Sequence, residues 1–238
     1  LGDMDNGDLD EGPAVLHVGD PTCPWCWGMS PSVKLLAATC HPAGIDVRLI
    51  VTGRRIDGAD AGSPSRRNRL RKDWAYIRSV TGQPFDLGLL ERASFEHDTE
   101  PACRALVAVR GVVKAHGLPR PVELAFFSEV QRSLHVQGED PTESAFYLGI
   151  CEKLGVPRDA FRALFFSAGA RSQVQADAVL ARRLRVKTLP TLLWQNGQDL
   201  HVLAEGYVGA DELLARLHGR LASFPMPRKL DTSLRQTD

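Results

Sequence analysis

The sequence predicts an α/β fold, a small mixed sheet covered by helices on both faces and interrupted by a large helical insertion. Short apolar, strand-like segments are confined to the two ends of the 238-residue chain, at 14–18, 46–51, 191–194 and 202–204. Between them, from about residue 65 to 168, apolar residues recur at helical spacing instead. A final hairpin followed by an amphipathic helix closes the pattern. With 43% hydrophobic residues, the chain can bury a sizeable core as one domain, or one domain with an insertion, and needs no disulfide scaffold.

The first strand follows a polar leader and carries Val15, Leu16 and Val18 before Gly19-Asp20-Pro21 ends it. A helix then opens at a pair of cysteines and runs to about Cys40. In the second strand, 46–51, Val47 and Leu49, with Val51, share one side, and Gly53 stops it. Glycine, serine and proline over 58–64 predict a loop, beyond which the periodicity changes. Leu70, Trp74 and Ile77 make one helical stripe. Ala102, Leu106, Val109 and Val113 make another, behind Pro101 at a first helical position, and Leu124, Phe127, Val130 and Leu134 make a third.

Asp140, Pro141 and Glu143 predict the start of a fourth helix: Asp as cap, Pro where no N–H is needed, Glu reaching back to the cap. Ser172 and Gln175 open a further helix through about Arg185. The last two strands join through Asn196-Gly197; Leu213, Leu214, Leu217 and Leu221 then line a terminal helix stopped by Pro225 and Pro227. The expected division is a sheet-bearing part at 14–60, a helical insertion at 61–168 and a second sheet-bearing part at 169–222.

Twenty-nine basic side chains balance 29 acidic ones, so the net charge is zero. Arg66, Arg67, Arg69, Arg71 and Lys72 spread around a helix as a solvated face, not the concentrated positive field that nucleic acid requires. No segment approaches the ~18 apolar residues of a membrane span, and the acidic start at 2–11 lacks the basic and apolar regions of a signal peptide. The expected location is the cytoplasm, or the periplasm if a signal peptide has been removed.

Of the five cysteines, only Cys23 and Cys26 are close enough to act as a unit. His17 and His41 flank them at spacings that match no compact zinc motif, so no metal site is expected. Cys40 shares the stripe of Met29, Val33 and Leu36, Cys103 sits beside Ala102 and Leu106, and Cys151 falls between Leu148 and Leu154. All three read as small buried hydrophobes.

Cys23-Pro24-Trp25-Cys26 sets two thiols three positions apart, on the same side of a helix start, where they can close a ring. Cys23 is expected outside and Cys26 recessed. The unpaired N–H groups and dipole of the first turn favour a thiolate at Cys23, and Pro24 fills the first helical position without wasting a donor. A stabilised thiolate both attacks and leaves well, and Cys26 resolves the mixed disulfide. Half a zinc site and two unconnected core thiols are the competing readings; the missing second pair counts against zinc, and the strand-then-helix context favours redox. Trp25 and Trp27 either contact a partner polypeptide or pack on the first strand. Asp20, and Glu205 if the hairpin brings it under the helix, are candidates to take a proton from the recessed thiol; otherwise each is an ordinary turn or surface acid.

Together these pieces resemble the thioredoxin superfamily, and within it the DsbA-like branch. They are the Cys23-Pro24-Trp25-Cys26 motif after a first strand, Pro31 where thioredoxin-like helices kink, and Thr188-Leu189-Pro190-Thr191 at the place of the cis-proline loop. The wider pattern from Cys23 to Gly28, with Thr81-Gly82-Gln83-Pro84-Phe85, is similar to the FrnE-like and 2-hydroxychromene-2-carboxylate isomerase-like group. The resemblance spans roughly 14–222 and implies a thioredoxin-like domain with a large helical insertion.

It also implies a thiol–disulfide oxidoreductase. Cys23 would be its nucleophile, Cys26 its resolving thiol and Pro190, after a cis bond, their neighbour; Trp25, Trp27, Thr188 and Leu189 would meet the substrate. Partners would be protein or small-molecule thiols and disulfides, with no nucleic acid and no membrane. No resident cofactor is implied, and glutathione stays open as a co-substrate. Kappa-class glutathione transferases and related isomerases share the insertion but look to a serine near the position of Cys23, so the cysteine pair departs from that alternative. Leu189 departs from the Val or Thr more usual before the cis-proline. A binding module that kept the fold without the chemistry is a third reading. Oxidase, reductase and isomerase roles depend on reduction potential, which sequence does not give.

Overall fold

The computed structural model describes residues 12–53, 63–92, 98–142 and 144–222. Strands β1 (Ala14–Gly19), β2 (Asp46–Val51), β3 (Thr191–Asn196) and β4 (Asp199–Glu205) form a mixed sheet in the order β2-β1-β3-β4. β1 runs parallel to β2, with His17 opposite Leu49, and antiparallel to β3, with His17 opposite Leu192. Because helices cover both faces of β1, every one of its residues is buried, which is why it reads as a nearly unbroken apolar run.

On one face Val15, Leu192 and Trp194 pack against Met29, Val33, Leu36 and Cys40 of α1 (Pro24–Cys40) and against Leu213 and Leu217 of α8 (Ala210–Ala222). On the other, Ala14, Leu16, Val18, Ile50 and Leu193 pack against Leu180 and Ala181 of α7 (Ala168–Arg183). The outer edge of β2 is closed by side chains: Asp177 of α7 accepts the Val51 N–H at 3.1 Å, and an Arg110 guanidinium paired with Asp177 at 3.0 Å donates to the Leu49 carbonyl. Side chains bound in this way blunt an edge strand for pairing with another chain.

Between β2 and α7 lie α2 (Pro64–Thr81), a 3₁₀ turn (Leu87–Glu91), α3 (Glu100–His116), α4 (Pro121–His135), α5 (Ser144–Lys153) and α6 (Arg158–Phe165). The small and branched residues of α3, from Ala102 to Val113, let α4, α6 and α7 close around it, and Phe126, Tyr147, Phe161 and Phe165 complete that core. The chain thus has the α/β thioredoxin fold with a large helical insertion. The described residues contain no helix long and apolar enough to cross a membrane.

Several boundaries differ from the sequence reading. Asp140 does not cap a helix; its carboxylate accepts the Thr142 N–H and hydroxyl at 2.9 and 2.8 Å, which holds a turn, and α5 begins at Ser144. Glu143 lies outside the described residues. α7 begins at Ala168, not Ser172, because the Ser167 hydroxyl accepts the Ala170 N–H at 3.1 Å as its cap, and it ends at Arg183 before Arg185 turns to positive φ. α6 is a helix of its own, set off from α5 by Gly155. Pro101 is the second residue of α3, after Glu100. Of the loop expected at 58–64, residues 58–62 lie outside the described residues, as do Pro225 and Pro227; Pro64 is already the first residue of α2.

Candidate active site

The approach to the cysteine pair is built by a local turn. Asp20 accepts the Thr22 N–H and hydroxyl, both at 2.9 Å, and the Cys23 N–H donates to the Asp20 carbonyl at 3.1 Å. This delivers Cys23 to the cap of α1 in an extended conformation (φ −72°, ψ 121°), with Pro24 as the first helical residue. Cys26 follows one turn later, 1% exposed, while Cys23 is only half-buried.

Both cysteines are free thiols with opposite acidities. The thiol of Cys26 donates to Cys23 and, against the cost of burial, holds the Cys23 thiol below its ordinary value; the N–H groups of Cys26 and Trp25 add to this, and the Asp20 charge opposes it. Burial pushes Cys26 well up, and its hydrogen bond to Cys23 and repulsion from it act the same way. The result is an outer sulfur biased toward thiolate beside an inner one that keeps its proton, the polarity that thiol–disulfide exchange requires.

The loop from Thr188 to Pro190 comes to the same place from the other end of the chain. The Leu189–Pro190 bond is cis. Leu189 and Cys23 both pack on the cluster that contains Cys26. Pro190 is buried, and its carbonyl accepts the N–H of Gly206, whose positive φ of 81° turns the chain out of β4. Thr188 is exposed, with its carbonyl held by the Thr191 hydroxyl at 2.6 Å.

The two tryptophans separate. Trp25 stays half-buried at the rim between Tyr76 of α2 and Tyr207 after β4, with ring centroids 6.1 Å away on each side. Trp27 turns inward: it is 5% exposed, stacks on His135, and donates its indole N–H to the Pro84 carbonyl at 3.0 Å. Packing, not contact with a partner, is what its surroundings provide. Gln83 completes the clamp by donating to the Trp27 carbonyl and to Ser30, so the Thr81-Gly82-Gln83-Pro84-Phe85 segment ties the insertion to the helix that carries the cysteines.

The structure supplies the surroundings of Asp20, Cys103 and His17. Asp20 is buried, and Cys103 of α3 donates its thiol to the Asp20 carboxylate at 3.5 Å, while burial raises the Cys103 thiol well above its ordinary value. Cys103 therefore stays protonated, as do Cys40 and Cys151, each pushed up to about 12 by burial. Glu205 is exposed at the end of β4. His17 lies 1% exposed beneath the pair, and among the described residues neither ring nitrogen has a hydrogen-bond partner. The alternation of β1 places it on the Val15 face, toward α1. Among the described residues no group of three or more His, Cys, Asp or Glu is placed to hold a metal.

Known proteins are similar to this chain in sequence and fold. A solved candidate protein disulfide isomerase from Nitrosomonas europaea is similar at 26% identity and a TM-score of 0.78, over 90% of this chain and 100% of that one. The cytosolic disulfide reductase DsbM from Pseudomonas aeruginosa, solved with GSH, is similar at 29% identity and a TM-score of 0.69, over 88% of this chain and 99% of that one. The ClpXP adapter protein SpxH of Bacillus subtilis is 26% identical over 182 residues, 75% of this chain; the chain spans 57% of that relative's length, and 65% of its Bacillus licheniformis counterpart. A family model for the DSBA-like thioredoxin domain matches residues 14–218, most of the chain, and the chain belongs to that family.

Proposed function

We propose that the protein is a cytoplasmic thiol–disulfide reductase that acts on protein or small-molecule disulfides and draws its electrons from glutathione. The opposed acidities of Cys23 and Cys26 at the start of α1 carry this reading. Cys23 thiolate attacks a substrate disulfide, forming one S–S bond and expelling one substrate thiolate. Cys26 then attacks the Cys23 sulfur, which releases the second substrate thiol and leaves the Cys23–Cys26 disulfide for glutathione to reduce. The main chain of Thr188 and Leu189 would pair with an extended substrate, and the Trp25–Tyr76–Tyr207 rim would receive its apolar side chains. The similarity to a cytosolic reductase solved with GSH supports direction, donor and compartment.

An insulin-reduction assay with glutathione tests this directly: turbidity should develop with the wild type and be lost in Cys23→Ser. No cysteine-dependent turnover with glutathione or dithiothreitol would end the catalytic claim. The equilibrium potential of the pair tests direction, since a value near about −270 mV fits a reductase and one near about −120 mV fits a disulfide donor. Isomerisation of 2-hydroxychromene-2-carboxylate that survives Cys23→Ser would replace this reading with the glutathione-dependent isomerase.

A further inference from the structure

We propose that the cleft beside the outer edge of β2 is a binding site for a small amphipathic carboxylate, an apolar chain or ring that ends in one anionic group. The cleft has a volume of about 730 Å³, within the range of small-molecule sites. One face of each of two helices lines it: Arg110, Val113 and Lys114 of α3, and Ala176, Leu180 and Arg183 of α7, recur at helical spacing. Arg120 and Glu123 from the start of α4 and the stretch from Val47 to Ile50 of β2 close it. None of Cys23, Cys26 and Pro190 lines this cleft, so the site stands apart from the thiol chemistry.

The lining has two characters. Val47, Ile50, Val113, Leu118, Val179 and Leu180 supply apolar wall, and Val179 is left 38% exposed there. Such a surface gains by being covered with hydrocarbon. The charged side chains are mostly cations: Arg48, Arg110, Lys114, Arg120 and Arg183 line the cleft with two carboxylates, Glu123 and Asp177. Arg110 holds both of these carboxylates, Asp177 at 3.0 Å and Glu123 at 3.5 Å, and Arg120 pairs with Asp46 at 3.1 Å. Even with Asp46 counted, cations exceed carboxylates by two around the cleft among the described residues. A surplus that small suits a single anionic head rather than a polyanion. Lys114, exposed on α3, carries its ammonium on a long flexible stem that can bring it to that head, whereas an aliphatic ammonium of the same length would be repelled.

Amide NMR spectra of isotope-labelled protein titrated with octanoate, octanol and octylammonium test this, because the three probes share one hydrocarbon body and differ in head charge. Octanoate should bind saturably, shift the amides of Leu49, Lys114 and Ala176, and bind at least roughly tenfold more tightly than octanol or octylammonium. Raising the ionic strength from about 0.01 to 0.15 M should weaken octanoate and leave octanol unchanged. Lys114→Glu, at an exposed position, should weaken octanoate by roughly tenfold while sparing octanol. Ala176→Phe fills the cleft without changing its charge; it should weaken both, and it carries the test should Lys114→Glu not fold. Equal affinity for the three probes, no saturation, or shifts centred on Trp25, Tyr76 and Tyr207 instead of the cleft would overturn the proposal. Insulin reduction is read separately, and its presence or loss bears on the thiol reading alone.

Discussion

At Cys23 the largest influence favouring the thiolate is the Cys26 thiol, and the helix start adds only the N–H groups of Trp25 and Cys26. Two substitutions therefore move its titration in opposite directions. Cys26→Ala removes the donor and should raise the Cys23 midpoint, while Asp20→Asn removes an opposing charge and should lower it. Iodoacetamide alkylation against pH reads both; a Cys26→Ala protein titrating at or below the wild-type midpoint would contradict the assignment. The pair was legible because spacing, Pro24 and the preceding strand all lie within a few residues of one another. The burial of His17 was not, since a lone histidine in an apolar run has no local signature. Trp25 and Trp27, adjacent to the same cysteine, could be separated only once Pro84 and Tyr76 had been brought to them from the insertion.

Helices α1 and α2 meet so closely that the contact itself specifies a residue. A Cβ on Gly28 would stand 2.8 Å from Thr81 Cγ2 and 3.2 Å from Ile77 Cγ2, both β-branched groups with little room to turn away. Gly28→Ala gains roughly 1 kcal/mol of helix propensity and loses roughly 1 to 3 kcal/mol to overpacking, so a net loss of about 1 kcal/mol is expected in urea unfolding. Adding Thr81→Ser removes the obstructing methyl group while keeping the hydroxyl that donates to the Ile77 carbonyl, and should restore most of the loss. A double variant no more stable than Gly28→Ala alone would show that the clash lies elsewhere. Element starts were readable where the cap and the periodicity agreed, as at α1. They were misread at Asp140, whose carboxylate serves a turn, and at Ser167, whose capping role is masked by the following Ala-Gly-Ala. Ser167 accepts the Ala170 N–H while its hydroxyl donates to the Leu164 carbonyl, and Asp140 holds only Thr142.

Across the whole molecule, the sheet-helix-sheet division was visible because a fully buried central strand and an amphipathic insertion have different periods, whereas the strand order depends on contacts between the ends of the chain. The same burial that makes β1 central encloses the imidazole of its own His17, and this ties global stability to pH. His17 titrates at about 4 in the folded protein against an ordinary 6.5, so the unfolded chain takes up this proton first as the pH falls. Its contribution is complete above 6.5 and is lost progressively down to about 4, below which the folded protein is protonated as well. At 1.36 kcal/mol per unit, the limiting loss is about 3 kcal/mol. His17→Phe should escape it. Whatever constant offset the larger ring introduces at neutral pH, the difference in unfolding free energy between variant and wild type should shift toward the variant from about pH 6.5 to 4. Carboxylates that titrate over the same range are common to both proteins and cancel. Urea unfolding of the two proteins at a series of pH values measures the shift; parallel stability curves would mean that His17 is protonated in the fold, or reaches water, and is not held neutral by burial.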